Sequence, residues 1–141
     1  MNASRAQLVE TVVAPALEGG EIVVCDRFAD STRAYQGAGR GLALRDLDAL
    51  ITFATAGLQP DMTMLLDLPV EVGLARKHAQ DQRNRFEEEA LAFHTRVREA
   101  FLQLASAAPA GRWYVFDGCL AADHIASQIW EVVSDRLGAR A

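Results

Sequence analysis

The sequence predicts an α/β fold, with helices layered on a parallel sheet. Three observations carry that expectation. Short, almost uninterrupted apolar runs occur at 21–27, 62–67 and 113–116, the pattern of strands buried on both faces. Longer segments with apolar residues at helical spacing lie before, between and after them. No repeat, linker or low-complexity stretch interrupts the 141 residues, so the chain is one domain at most, long enough to bury a core.

The elements follow in order. Residues 3–18 read as a helix with Leu8, Val12 and Ala16 on its inner face, capped by Asn2 or Ser4. Pro15 is expected to kink or end its last turn, and Gly19-Gly20 to stop it. Residues 21–27 read as a buried strand. A polar, glycine-rich loop leads from it into a helix over 42–56, with Leu47, Leu50, Ile51 and Ala54 inward and Gly57 ending it. Met62 to Asp67 is the second strand, and Pro69 opens a short helix. Lys77 to Asn84 has no apolar anchor and reads as a surface loop. Residues 86–106 form a long amphipathic helix with Phe93, Val97, Phe101 and Leu104 inward. Trp113 to Phe116 is the third strand, and 121–137 closes the chain through Ile125, Ile129, Val132 and Val133. The order is α-β-α-β-α-α-β-α. Three strands make a thin sheet for so much helical cover.

Composition removes some classes of function. A nucleic-acid backbone binder should show a basic face, and a net charge of −5 with a pI near 5.1 disfavours that class. Cys25 and Cys119 sit beside predicted strands without a CxxC or a Cys/His cluster, and read as small buried hydrophobes in a reducing compartment. No signal peptide or membrane-length apolar run is present, so the expectation is a cytoplasmic protein without a membrane partner.

The informative stretch is Asp26-Arg27-Phe28 running into Ala34-Tyr35-Gln36-Gly37-Ala38-Gly39-Arg40-Gly41-Leu42. Ligands of open α/β sheets sit at the carboxyl ends of strands. An Asp-Arg pair there suits a metal-phosphate group, the carboxylate facing the metal side and the guanidinium gripping phosphate oxygens. Taken alone, Asp26-Arg27 reads first as a strand-end salt bridge and Arg5 as a solvated helix residue, and Tyr35 can be a core aromatic with its hydroxyl at the surface.

Four fragments in order resemble the bacterial thymidylate kinase family, nearly end to end. They are Ala3 to Glu10, the Asp26 to Leu42 stretch, Pro60 to Pro69, and Arg85-Phe86-Glu87. The resemblance implies the P-loop nucleoside monophosphate kinase fold and phosphoryl transfer from ATP, with Mg²⁺, to thymidine 5′-monophosphate (dTMP). Such chemistry asks the protein to position the two nucleotides and neutralise charge. Arg27 would lie between the phosphates of the two nucleotides. Asp26 would orient the Mg²⁺ shell, indirectly, or Arg27 itself. Arg5 would contact the thymine edge and Tyr35 the deoxyribose. Ser31 belongs to the matched signature as a dTMP-side residue, and Thr32 and Gln36 would reach the base. Gly37, Gly39 and Gly41 would let the backbone turn tightly near the acceptor. The family's dimers suggest a homodimer through the 3–18 helix.

The lid, about residues 77–85, departs from the pattern. Gln80 stands where many bacterial relatives carry arginine, and Asn84 replaces the usual aspartate, leaving Arg83 and Arg85 as cations for the transferring group. The larger departure is the absence of any G-x-x-x-x-G-K-[ST] phosphate-binding loop. The chain's one lysine, Lys77, lies in the lid segment. In the family that loop follows a first strand set between those matching 21–27 and 62–67. The expectation is therefore a single partial domain over 1–141, N-terminally truncated: a carboxy-terminal portion of a thymidylate kinase that keeps most of the acceptor site and is inactive alone. Met1 would be an internal methionine or the chain a gene remnant. The alternative is a non-catalytic dTMP-binding or dimerising fragment that complements a separate P-loop segment.

Overall fold

Pro15 lacks an amide hydrogen, and its ring clashes with the carbonyl four residues back in a regular helix. The first helix nevertheless runs through it. In the computed structural model, which describes residues 2–78 and 86–138, helix α1 (Asn2–Leu8) widens into a π-helical turn, Val9–Val13, and continues as α2 (Ala14–Glu18). The Ala14 amide donates five residues back, to the Val9 carbonyl, and the wider turn gives the proline ring room. The inner face also differs from the expected one. Arg5, Val9 and Val13, four apart, are buried, while Leu8 and Val12, expected inward, are exposed. The helix ends in a Schellman motif. Gly20 at φ +79° donates to Leu17 O at 3.0 Å, and Glu21 donates to Ala16 O at 2.9 Å.

The expected strand at 21–27 does not form. Residues 21–25 have no regular structure, and Ile22 and Val24 are 69% and 93% exposed. Cys25 and Cys119, expected buried, are both exposed. The cause is the absence of a partner: a strand is stable only when paired, and no described segment offers Ile22–Cys25 a ladder. The glycine-rich stretch that follows is helical, not a loop. It comprises α3 (Ala29–Thr32) and a π-helical turn, Arg33–Gly39. Gly37 and Gly39 serve close packing here. A Cβ on Gly39 would stand 2.6 Å from the Phe93 ring and 3.0 Å from Val97, and one on Gly37 would stand 2.7 Å from Leu44. Only Gly41, at φ +73°, makes the tight turn expected of the glycines.

Helix α4 (Leu44–Thr55) buries Leu47, Ile51 and Ala54, but Leu50, expected inward, is half exposed. Its end passes through Ala56 and Gly57, both at positive φ, and Gly57 donates to Thr52 O. Strands β1 (Thr63–Asp67) and β2 (Trp113–Asp117) pair in parallel, from Thr63 opposite Trp113 to Asp67 opposite Asp117. Among the described residues these two strands are the whole sheet, one fewer than expected. Helices α5 (Val70–His78) and α6 (Phe86–Ala107) lie in the crossover, and α7 (Ala122–Gly138) follows β2.

Two apolar clusters hold the middle of the chain. Ala29, Leu47 and Ile51 pack with Phe28, fixing α3 on α4. Ala34, Val97 and Ala100 pack with Tyr35, Phe93 and Phe101, fixing the π turn on α6. The segment after Arg27 is thereby clamped between two helices. No helix among the described residues is long and apolar enough to cross a membrane.

Candidate functional site

The site is built around one turn of chain, Arg27 to Thr32. Arg27 is exposed and held at φ +65°, a left-handed conformation costing a non-glycine residue roughly 1–2 kcal/mol. Its guanidinium lies over the Tyr35 ring, 4.3 Å from the centroid. Tyr35 is wedged against Phe93 and Phe101, each with its ring centroid 6.1 Å away. The ring is thus a fixed platform under the exposed arginine head. Beside it, Gln36 Oε1 is buried and accepts no hydrogen bond from any described group. An orphan buried acceptor costs free energy unless something donates to it.

Below this turn Arg5 comes in from α1. It is 8% exposed and donates from Nη1 to Thr32 Oγ1 at 2.9 Å and to Asn2 Oδ1 at 3.0 Å, and from Nη2 to the Phe28 carbonyl at 3.1 Å. Its guanidinium also lies 5.6 Å from the Phe28 ring centroid. Burial lowers the basicity of Arg5, and the nearby Cys25 thiol offsets part of that. Asn2, one of the two expected caps, is a partner of Arg5. Ser31 and Thr32 are themselves buried, at 7% and 1% exposure. The structure therefore brings Arg5, Thr32 and the Phe28 carbonyl together in one cluster, with the Arg27–Tyr35 pair and Gln36 beside it. Asp26, preceding Arg27 in the chain, is exposed. Arg83 and Arg85 lie outside the described residues.

Other polar contacts had no signal in the sequence. Asp30 accepts from Arg33 Nη1 at 2.9 Å and from Arg112 Nη2 at 3.0 Å, and Arg33 Nε donates to Asp48 at 2.7 Å. Burial works against the charge of Arg33, but the hydrogen bond and charge of Asp48, with Asp30 adding, outweigh it and hold the guanidinium more firmly protonated. At the carboxyl end of β1, Arg98 grips Asp67 with two parallel bonds, Nε to Oδ1 at 2.7 Å and Nη2 to Oδ2 at 2.8 Å. The pair borders a cleft of about 330 Å³, also lined by Tyr35, Leu65, Val97 and Phe101.

The Asp67–Arg98 pair gives a pH signature. The hydrogen bond from Arg98 holds the Asp67 carboxyl below the usual aspartate range, against the smaller opposing pull of burial. A lowered native pKa stabilises the fold above the unfolded value and is lost as pH falls through the native one. The stability gap between the wild type and Asp67→Asn is expected to be constant above about pH 5 and to shrink progressively as pH falls below about 4. Denaturant midpoints across that range check it.

The thymidylate kinase family model matches residues 1–129. The chain belongs to the thymidylate kinase family. It is 50% identical over 135 residues to a thymidylate kinase of Deinococcus radiodurans, a match covering 96% of this chain and 65% of the relative. It is 58% identical over 107 residues to one of Pseudomonas fluorescens Pf-5, covering 76% of this chain and 51% of the relative. A thymidylate kinase of Synechococcus sp. is 50% identical over 135 residues, 64% of its length. The chain thus spans between half and two thirds of the length of these thymidylate kinases. The π turn carrying Tyr35 and Gln36, the Arg27 turn and the Arg5 helix all fall inside the matched segment.

Proposed function

We propose that residues 1–141 carry the acceptor side of an enzyme that phosphorylates dTMP to dTDP with ATP, a step of dTTP synthesis. The observation that carries this reading is Arg27, kept at a strained φ of +65° with its charge presented over Tyr35. Backbone strain persists where the surroundings enforce it, and it concentrates at working sites. From there the guanidinium can swing to the acceptor phosphate and bridge it to the transferring group. Tyr35 would flank the deoxyribose. Gln36 Oε1, an acceptor without a donor, would take a hydrogen bond from the base. Arg5 and Thr32 bond each other, so their part is to hold the floor of the base pocket as well as to touch its edge. Ser31, buried on the same turn, supports that floor.

Among the described residues no three metal-ligating side chains cluster. A lone carboxylate at Asp26 fits Mg²⁺ delivered on ATP and held mainly by phosphates. Asp26 would orient that ion's water shell, and Arg83 and Arg85 of the lid segment would supply charge to the transferring group. Without a phosphate-binding loop in its 141 residues, this chain alone would bind the acceptor and not turn over.

A second reading has its own observations. The chain is a non-catalytic dTMP-binding or dimerising piece that complements a separate P-loop polypeptide. Ile22 and Val24 are exposed on a strand-like segment, and β1 pairs only with β2 among the described residues. Leu8 and Val12, with Leu50 and Phe53 of α4, expose apolar surface on two adjoining helices, which suits a homodimer through the first helix.

The deciding experiment titrates the purified chain with dTMP and, separately, supplies ATP and Mg²⁺. Saturable thermal stabilisation by dTMP, reaching about 2.7 kcal/mol at a hundredfold excess over Kd, is expected, with no dTDP formed. Formation of dTDP overturns the inactivity. Lack of saturable stabilisation overturns the acceptor-site reading.

A further inference from the structure

The turn from Phe28 to Thr32 is held from two opposite directions. From the N-terminal side Arg5 takes the Phe28 carbonyl and the Thr32 hydroxyl. From the sheet side Arg112, 82 residues further along the chain, takes Asp30. Arg112 stands immediately before β2. Its own carbonyl accepts from the Thr63 amide at 2.8 Å, so its backbone is the first rung between the strands. Its guanidinium donates Nη1 to the Thr63 hydroxyl and Nη2 to Asp30 Oδ2, and lies 5.6 Å from the Trp113 ring centroid. Both side chains of the Arg112–Asp30 pair are largely shielded, at 16% and 13% exposure.

This is an anchor of low compliance. A planar guanidinium with one fork on a strand and the other on Asp30 fixes distance and orientation together. Asp30 passes the constraint on through Arg33 to Asp48 of α4. The turn so fixed begins at Arg27, three residues before Asp30. An arginine in a left-handed conformation keeps it only if its flanks are over-determined. The clusters on α4 and α6 hold the turn by apolar contact, which does not set the direction of a backbone.

We propose that Arg112 is a positioning residue for the nucleotide site: through Asp30 it fixes the turn that presents Arg27 to the acceptor phosphate. The proposal rests on the acceptor-site reading. Arg112 touches no ligand in this scheme, and its effect passes wholly through the 28–32 turn.

The test compares two affinities of the full 141-residue chain, for dTMP and for thymidine, which lacks the phosphate. In Arg112→Gln the preference for dTMP over thymidine is expected to fall about tenfold, while thymidine affinity stays within about twofold. Arg112→Lys, which keeps the charge and loses the fork, is expected to recover part of that preference. Asp30→Asn breaks the same contact from the other end, together with the Arg33 bond, and serves if Arg112→Gln does not fold, and the double variant is expected to match Asp30→Asn alone. A merely structural role would weaken both ligands alike, and that result, or an unchanged preference, overturns the proposal. If the wild type binds neither ligand, the acceptor reading has failed, and amide exchange of the chain alone then judges the positioning claim. Loss of Arg112 is expected to speed exchange at residues 28–34 and leave α7 unchanged. Equal exchange at 28–34 overturns the claim.

Discussion

Replacing Arg5 with alanine is expected to cost about 3 kcal/mol of folding stability. The side chain is buried, and its loss strands the Thr32 hydroxyl and the Phe28 carbonyl in a space water enters poorly. Arg5→Lys is expected to restore less than half, because an ammonium on a shorter reach cannot serve Asn2, Thr32 and Phe28 at once. Denaturant midpoints at constant slope check both values. A loss below about 1 kcal/mol for Arg5→Ala would mean that the cluster is a consequence of the fold and not one of its supports.

Arg27→Ala is expected to weaken dTMP binding by about 10- to 150-fold, the worth of one charge-assisted phosphate contact, and to leave thymidine binding unchanged. Arg27→Gly is expected to weaken it equally. The two variants part company in stability. Both lack the side chain, but glycine adopts φ near +65° without penalty, so Arg27→Gly is expected to be about 1 kcal/mol more stable than Arg27→Ala. Calorimetry of both, with ligand titrations, tests the claim that this position holds charge at the expense of backbone comfort. Equal stability would falsify it.

These two arginines illustrate how far the sequence could be read. Arg27 and Tyr35 belong to a contiguous stretch, and local wording placed them together. Arg5 and Thr32 were both read toward one candidate site, but their bond to each other was not legible, because it joins residues 27 apart through the packing of α1 on the 28–32 turn. The long amphipathic helix α6 was legible from Phe93, Val97 and Phe101, since a 3.6-residue period is a local property. The inner face of the first helix was not, because both 5/9/13 and 8/12/16 keep a spacing of four and only packing against its neighbours chooses Arg5, Val9 and Val13. The segment 21–27 has strand chemistry and no strand, since pairing is decided by a neighbour and not by the residues themselves. The Asp30–Arg112 and Asp67–Arg98 pairs join residues 82 and 31 apart, where no spacing rule operates.

The unpaired segment at Ile22–Val24 has a consequence for the chain in solution. Its backbone donors and acceptors and its bare isoleucine and valine side chains form a template for another polypeptide, and β1 offers a second. Two molecules that meet there can each give the other the rung it lacks. Concentration is therefore expected to matter to this chain: an apparent mass that rises with concentration, and that falls back when Ile22 and Val24 are made polar, would show the exposed segment drawing molecules together edge to edge.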